Sequence, residues 1–394
     1  MRRGRGPPGA ARIVTLEVRR VVVADDSSLF VEVLCALIDQ EPGLALVAAA
    51  RDGREAVRAV RTHAPDLVVM DVMMPELDGL AAAEEIMATT PTPILVLSSD
   101  PRSHTGRLSL EALARGALDV MPKPERLPFA GPEARALLSR MHLLAGVPVV
   151  RHVRGRRHQW RSWPRGERPP STSSSAALGP CPWSPPDPSP VTRVVSEATP
   201  RRPPLVALAA STGGPPTLGD IMARLSSSLG AALLVVQHLS APFLPVFVTW
   251  LRGRSDLEVA LATVGAMPRR GCVYVAPAGH HLELDAEGRL ALPLANGGDA
   301  HCPSADRLFS SMARHAPHRS LGVVLTGMGR DGTAGLLALR RAGGATAAQD
   351  GSSAVVDGMP GSARRAGAVD AVWPRDVVAL ELTRWVQART QEVR

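Results

Sequence analysis

Aromatic residues are scarce in this 394-residue chain: one Tyr, five Phe and six Trp make up 3% of it. Leu, Val, Ala and Met must therefore fill its cores. Cysteine is scarce as well. Cys35, Cys181, Cys272 and Cys302 are far apart and form no C-x-x-C pair. That excludes a zinc ribbon or a disulfide framework and suits a reducing compartment. No apolar run is long enough to span a membrane. The start, MRRGRGPPGAARIV, is basic but lacks the apolar stretch of a signal peptide. The expectation is a cytoplasmic protein that is not membrane-inserted.

The net charge of +8 is unevenly spread. Residues 1–20 hold six Arg against Glu17, and residues 148–203 hold ten Arg against Glu167, Asp187 and Glu197. What lies between and beyond them has a net charge of −4. Basic charge in tails, with mildly acidic folded parts, is not the charged face of a nucleic-acid-binding domain, so no specific nucleic-acid partner is expected.

The length predicts two domains. Between residues 19 and 127 five short apolar runs (RRVVVAD, LALVAAA, DLVVMDV, PILVLSS and ALDVMPK) alternate with helix-like stretches. This pattern predicts a five-stranded parallel (βα)5 sheet with helices on both faces. Residues 1–18 form a basic lead. Residues 128–203 are rich in Pro, Arg and Ser and are expected to be a linker. It contains one helix at PEARALLSRMHLLAG and three isolated Trp residues, Trp160, Trp163 and Trp183. Residues 204–390 resume the alternation, with LVALAA, AALLVVQH, LGVVLTGM and GATAAQD as buried parallel strands. CVYVAP reads differently, and HHLELDAEGRLALPL reads as a β-hairpin around DAEG. The second domain is therefore expected to be a doubly wound, mostly parallel α/β sheet with an antiparallel hairpin.

In a parallel sheet the carboxyl ends of the strands share one edge, where ligands bind. Asp25 and Asp26 end the first strand, Asp71 the third, Ser98 the fourth and Lys123 the fifth. Three carboxylates held together repel, and a bound Mg²⁺ relieves that repulsion while leaving positions for a phosphoryl group. Asp71 is then placed to attack a phosphoryl donor, with Lys123 and Ser98 holding the phosphoryl oxygens. A single Asp is more often a helix cap; five groups on five strand ends are harder to dismiss. VVVADDSSLF, DLVVMDVMMPELDG, ILVLSS and MPKP, in that order, resemble the motifs of a response-regulator receiver domain. The resemblance implies Asp71 as phosphoacceptor and Mg²⁺ held by Asp25, Asp26, Asp71 and the carbonyl of Met73. Val120 stands where receivers often carry an aromatic switch residue.

The stretch VALAASTGGPP runs from a strand into a glycine turn, and Ser211 at that corner suits either a helix cap or a nucleophile. His238 ends another strand, and Asp331 lies in the Gly-rich loop after a third. A parallel sheet brings all three to one edge, as nucleophile, base and orienter of a serine hydrolase. Backbone N–H groups near Thr212 and Met328 are placed to form an oxyanion hole. The order Ser, His, Asp and the Ala209 in AASTG do not match the α/β-hydrolase elbow.

AASTGGPPTL, VVQHLSAPF, VYVAPAGHHLEL, HCPSADRLFSSMA, GVVLTGMGRDGTAGLLALRRAGGATAAQD and GMP resemble the catalytic domain of chemotaxis protein-glutamate methylesterases. That resemblance implies the triad Ser211, His238 and Asp331, with no cofactor for ester hydrolysis. It implies γ-glutamyl methyl esters on the cytoplasmic helices of methylated chemoreceptors as substrate, with deamidation of receptor glutamines alongside. A chemotaxis histidine kinase is the implied phosphodonor, with the receiver covering the site until phosphorylated. Gly351 and Asp357 stand where the family more often has an acidic and an aromatic residue. His281 and His301 are expected to line the cleft or hold loops rather than bind metal, and Cys272 and Cys302 to be ordinary small side chains. Two alternatives are a receiver-tethered adaptor without activity and an esterase or deamidase serving a system other than motility.

Overall fold

The computed structural model describes residues 18–99, 104–124, 131–147, 149 and 202–391. Residues 1–17 of the expected basic lead and most of the expected linker, with its three Trp residues, lie outside them. No helix among the described residues is long and apolar enough to cross a membrane.

The N-terminal module alternates strands and helices: β1 Arg19–Ala24, α1 Ser28–Asp39, β2 Leu44–Ala50, α2 Gly53–His63, β3 Leu67–Asp71, α3 Gly79–Thr89, β4 Ile94–Ser98, α4 His104–Ala114, β5 Asp119–Pro122 and α5 Pro132–Ala145. The sheet order is β2-β1-β3-β4-β5, and every pairing is parallel. β3 and β4 are buried at every residue, which is why they read as unbroken apolar runs. The helices start on side-chain caps: Ser27, Asp52 and Asp78 each accept a backbone N–H of the first turn of α1, α2 and α3. The chain reverses its direction across the sheet between β1 and β3, so Asp25 and Asp71 end adjacent strands at that switch point. Helix α5, placed in the linker by its sequence position, packs on this sheet. Its Leu137, Met141 and Leu144 are fully buried with Val21, Val23 and Leu67, each contributing about 2 kcal/mol by area removed from water.

The C-terminal module continues with β6 Leu205–Ala210, α6 Gly214–Met222, β7 Ala232–Gln237, α7 Leu244–Arg252, β8 Glu258–Leu261, β9 Cys272–Val275, β10 Glu283–Leu284, β11 Leu290–Ala291, α8 Ala305–His315, β12 Ser320–Val324, α9 Thr333–Arg341, β13 Ala345–Gln349, α10 Met359–Arg365, β14 Ala371–Trp373 and α11 Val378–Gln391. Seven strands form one parallel sheet in the order β14-β13-β12-β6-β7-β9-β8, and β10 and β11 form the antiparallel hairpin. CVYV does not stand apart with the hairpin, as its sequence suggested. It is β9, buried at all four residues and parallel to β7 and β8. The two edge strands, β8 and β14, escaped the sequence reading because they are short and half exposed. After β6 the chain builds outward through β7 and β9, then returns to β12 on the other side. The β6/β12 boundary is therefore the switch point of this sheet.

Candidate active site and acidic pocket

In the N-terminal module, oxygens of Asp25, Asp26 and Asp71 lie within 4.8 Å of one another. Asp25 and Asp71 are buried and Asp26 is exposed. Lys123, the only lysine of the chain, reaches from the end of β5 to both buried carboxylates, 2.6 Å from Asp25 and 2.8 Å from Asp71. Its Nζ also lies 4.8 Å from the centre of the Phe30 ring. Burial pulls the lysine pKa down, but its hydrogen bonds to Asp25 and Asp71 outweigh that and raise it. Burial pushes the Asp25 carboxyl up, although Lys123 opposes the shift. The Ser98 hydroxyl is wholly buried and has no hydrogen-bond partner among the described residues. Met73 follows Asp71 by two residues, with half of its side chain exposed. A crowded carboxylate set beside an orphaned hydroxyl is what a metal and a phosphoryl oxygen would complete, so the donor set fits a hard cation.

In the C-terminal module, Ser211 follows β6, His238 follows β7, and Asp331 sits in the loop after β12. The His238 imidazole donates from Nε2 to Asp331 Oδ2 at 2.9 Å, and Nδ1 has no hydrogen bond among the described residues. No described hydrogen bond links the Ser211 hydroxyl to that ring. Asp331 is held tightly. Its carboxylate also accepts from the Ser304 hydroxyl and from the backbone N–H of Ala305, Asp306 and Gly332. Ser304 is the N-cap of α8, so the carboxylate lies against the positive end of that helix. Burial alone would raise its pKa; the His238 bond and the helix N–H groups lower it to about 2.

His301 stacks on His238 with ring centres 4.7 Å apart and planes 11° from parallel. Burial, and then the charge of His238, push the His301 pKa down. His281 is wholly buried; it accepts the Ser304 N–H at Nδ1 and donates from Nε2 to Asp299. It thus holds the loop that leads into α8. Cys272 is buried and Cys302 half-buried, both as free thiols. Asp357 is ion-paired with Arg364 and lies against Gly351.

The turn after Ser211 is close-packed. Gly213 adopts a φ of +72°, and a Cβ there would come within 2.5 Å of Val355. The Thr212 carbonyl accepts the Thr326 hydroxyl. The N-terminal module also reaches this turn. Arg140 of α5 donates to Thr212 Oγ1 at 3.2 Å and lies 3.9 Å from Met328 Sδ. The Gly213 N–H points to the Leu118 carbonyl at 3.3 Å. Met328 and Val355 pack into the hydrophobic cluster of the N-terminal module. Arg140 is itself anchored to Asp119 at 2.8 Å, whose carboxyl burial pushes up in spite of that pairing. Neither Arg140 nor Leu118 carries a local sequence signal for this contact. Ser304 does, as a serine directly before a helix.

The family described as CheB methylesterase matches residues 206–382, and the response regulator receiver domain matches residues 21–128. Protein-glutamate methylesterase/protein-glutamine glutaminase 2 of Anaeromyxobacter dehalogenans is 40% identical over 368 residues, which cover 93% of this chain and 97% of that one. This chain belongs to the protein-glutamate methylesterase/protein-glutamine glutaminase family. It is a carboxylic ester hydrolase joined to a receiver. A second member, from Nitrosospira multiformis, is 35% identical over 371 residues, covering 94% of this chain and 97% of its own. The catalytic domain of the Thermotoga maritima CheB methylesterase is 31% identical, matching 47% of this chain and all of that one with a TM-score of 0.45. The receiver implies Mg²⁺ at the pocket of Asp25, Asp26 and Asp71 and a kinase as phosphodonor, and the methylesterase domain implies a methylated receptor as substrate.

Proposed function

We propose that this protein is a phosphorylation-activated methylesterase acting in the cytoplasm on γ-glutamyl methyl esters of chemoreceptor helices. The observation that carries the reading is the convergence at one sheet edge. Ser211, His238 and Asp331 follow the ends of neighbouring parallel strands, His238 is bonded to Asp331, and Arg140 and Leu118 of the N-terminal module are bonded to the turn after Ser211.

Ser211 Oγ attacks the ester carbonyl carbon as His238 Nδ1 takes its proton. Asp331, ionised at neutral pH because its pKa lies near 2, holds Nε2–H and stabilises the imidazolium. The oxyanion faces the N–H groups of Thr212 and Met328, a contribution of about 3 kcal/mol per donor. Collapse breaks the C–O bond, and the His238 proton leaves with methanol. Water then repeats the sequence on the acyl-enzyme and releases glutamate. With a glutamine side chain the leaving group is ammonia.

In the receiver, Asp71 attacks the phosphorus of the donor, forming an acyl phosphate as the donor's own P–O or P–N bond breaks. A bound Mg²⁺ supplies charge neutralisation among Asp25, Asp26, Asp71 and the Met73 carbonyl. Lys123 and the Ser98 hydroxyl then pair with phosphoryl oxygens, which draws Lys123 away from its present carboxylate partners. The receiver needs to lose only a few kcal/mol of docking to uncover the turn.

The test is methanol release from methylated receptor membranes, comparing wild type with Ser211→Ala, each with and without a small acyl phosphate. Release that depends on Ser211 and rises with the donor supports the reading. Release that Ser211→Ala leaves intact overturns it.

A further inference from the structure

Gln237 is the last residue of β7, next to the base, and 3% exposed. Its side chain crosses back to the neighbouring strand end. Nε2 donates to the Ser211 carbonyl at 2.9 Å and to the His238 carbonyl at 3.0 Å. Its Oε1 is buried with no hydrogen-bond partner among the described residues and faces Gly214. The orientation of the amide is thus set by two acceptors, because the reverse orientation would turn an oxygen toward both carbonyls. One orphaned oxygen is accepted so that one NH₂ can bind two carbonyls.

Those carbonyls belong to the residues carrying the nucleophile and the base. The Ser211 carbonyl also accepts the Gly214 N–H at 2.8 Å. A trans peptide is planar, with its C=O and N–H pointing in opposite directions. Pinning the Ser211 carbonyl from two sides therefore fixes the direction of the Thr212 N–H on the far side of the same peptide. Gly214 leaves room for this. A Cβ there would come within 2.0 Å of Gln237 Oε1 and 2.8 Å of Ala210 Cβ.

We infer that Gln237 is a positioning residue for the esterase reaction: its side-chain amide aims the Thr212 N–H into the oxyanion hole and ties the Ser211 backbone to that of His238. It touches no substrate and acts through the peptide it holds. The inference rests on the roles proposed above for Ser211 and the Thr212 N–H.

The experiment uses the full chain with a phosphodonor present. Gln237→Met removes both donors at similar length, Gln237→Glu replaces the NH₂ by an oxygen, and Gly214→Ala displaces the amide by crowding it. Each is measured for kcat and KM of methanol release, for affinity toward a small boronic acid that Ser211 captures as a tetrahedral adduct, and for melting temperature. The expected result is a fall in kcat of about 100-fold, the order seen when one oxyanion donor is lost. KM should stay within about twofold, and boronate affinity should fall in parallel with kcat, in every variant that melts as wild type. A folded Gln237→Met or Gly214→Ala protein with wild-type kcat and boronate affinity overturns the inference, as does a loss confined to KM. Ser211→Ala, run alongside, separates this from the parent reading. If that variant still releases methanol, the nucleophile is wrong; if it is dead while the Gln237 variants are unimpaired, only the positioning role fails.

Discussion

The two sites of this molecule occupy the same place in two parallel sheets and are built in opposite ways. The acidic pocket lies where the N-terminal sheet reverses, between β1 and β3, and the proposed triad lies around the point where the C-terminal sheet reverses, with Ser211 after β6, Asp331 after β12 and His238 after the adjacent β7. In the pocket, carboxylates crowd together, burial raises the pKa of Asp25, and the Ser98 hydroxyl has no partner. Asp25 and Asp71 share a single cation, Lys123, so an arriving charge can redistribute their partners. At the triad, Asp331 accepts five hydrogen bonds, from His238, Ser304, Ala305, Asp306 and Gly332, and its pKa falls. In the proposed reading, one site keeps a buried hydroxyl in reserve so that it can change, and the other is held by many bonds in advance so that it does not move during reaction. A switch and a catalyst need those opposite properties.

The comparison breaks most severely at the proposed nucleophile. Ser211→Ala should lower kcat for methanol release by about 10⁴-fold or more, while transfer of labelled phosphate to Asp71 proceeds as in wild type. A loss in both assays would mean that the two sites are not separable.

Next comes the orienter. Asp331→Asn should reduce kcat by about 10³- to 10⁴-fold, because Nε2–H of His238 loses its charged acceptor. The same substitution has a stability signature. Folding lowers the Asp331 pKa from 3.8 to about 2, so its contribution is complete above pH 3.8 and is lost as pH falls through 2. The shift corresponds to about 2 kcal/mol. Urea unfolding of wild type should therefore lose stability across that window, and Asp331→Asn should flatten that part of the curve.

Between the two sites stands Arg140, whose bonds run to Asp119 in its own module and to Thr212 in the other. Arg140→Ala combined with Asp119→Asn removes the bridge without stranding a buried charge. Basal methanol release without phosphodonor should rise about tenfold, the equivalent of about 1.4 kcal/mol. The fractional gain on adding the donor should shrink accordingly. An unchanged basal rate would show that the Arg140 bridge does not restrain the site.

The smallest effect tests the orphaned hydroxyl. Ser98→Ala should leave resting stability unchanged or raise it by up to about 1 kcal/mol, since a buried hydroxyl without a partner is a burden. It should also slow activation by the phosphodonor. A clear loss of stability in thermal melts would mean that Ser98 already has a partner at rest.

Much of this was legible along the chain. Strand ends can be read from unbroken apolar runs, and parallel sheets gather those ends on one edge, so Asp25, Asp71 and Lys123, like Ser211, His238 and Asp331, could be grouped before any coordinates. Short edge strands were not legible: β8 and β14 bury too few residues to impose a pattern. CVYV is as compatible with a hairpin as with a buried parallel strand, so its place as β9 is settled only by the packed sheet. Arg140 reads as one more basic residue on a helix, and its meaning depends on which surface α5 turns toward the Ser211 loop. Gln237, next to the more conspicuous His238, carries no local signal, since a glutamine at a strand end has no chemistry of its own until the two carbonyls it bridges are placed around it.

The amino-acid sequence by itself determined the elements, the strand ends and the identity of the groups on them, because hydrophobic periodicity and turn residues act over a few neighbouring positions. Only the tertiary structure decided which nitrogen of His238 faces Asp331, that the N-terminus of α8 presses on that carboxylate, that Gln237 joins two strand ends, and that Arg140 reaches Thr212. Each of those contacts joins residues that lie on different elements. Their distances are set by how sheets, helices and modules pack, and no local pattern along the chain encodes that packing.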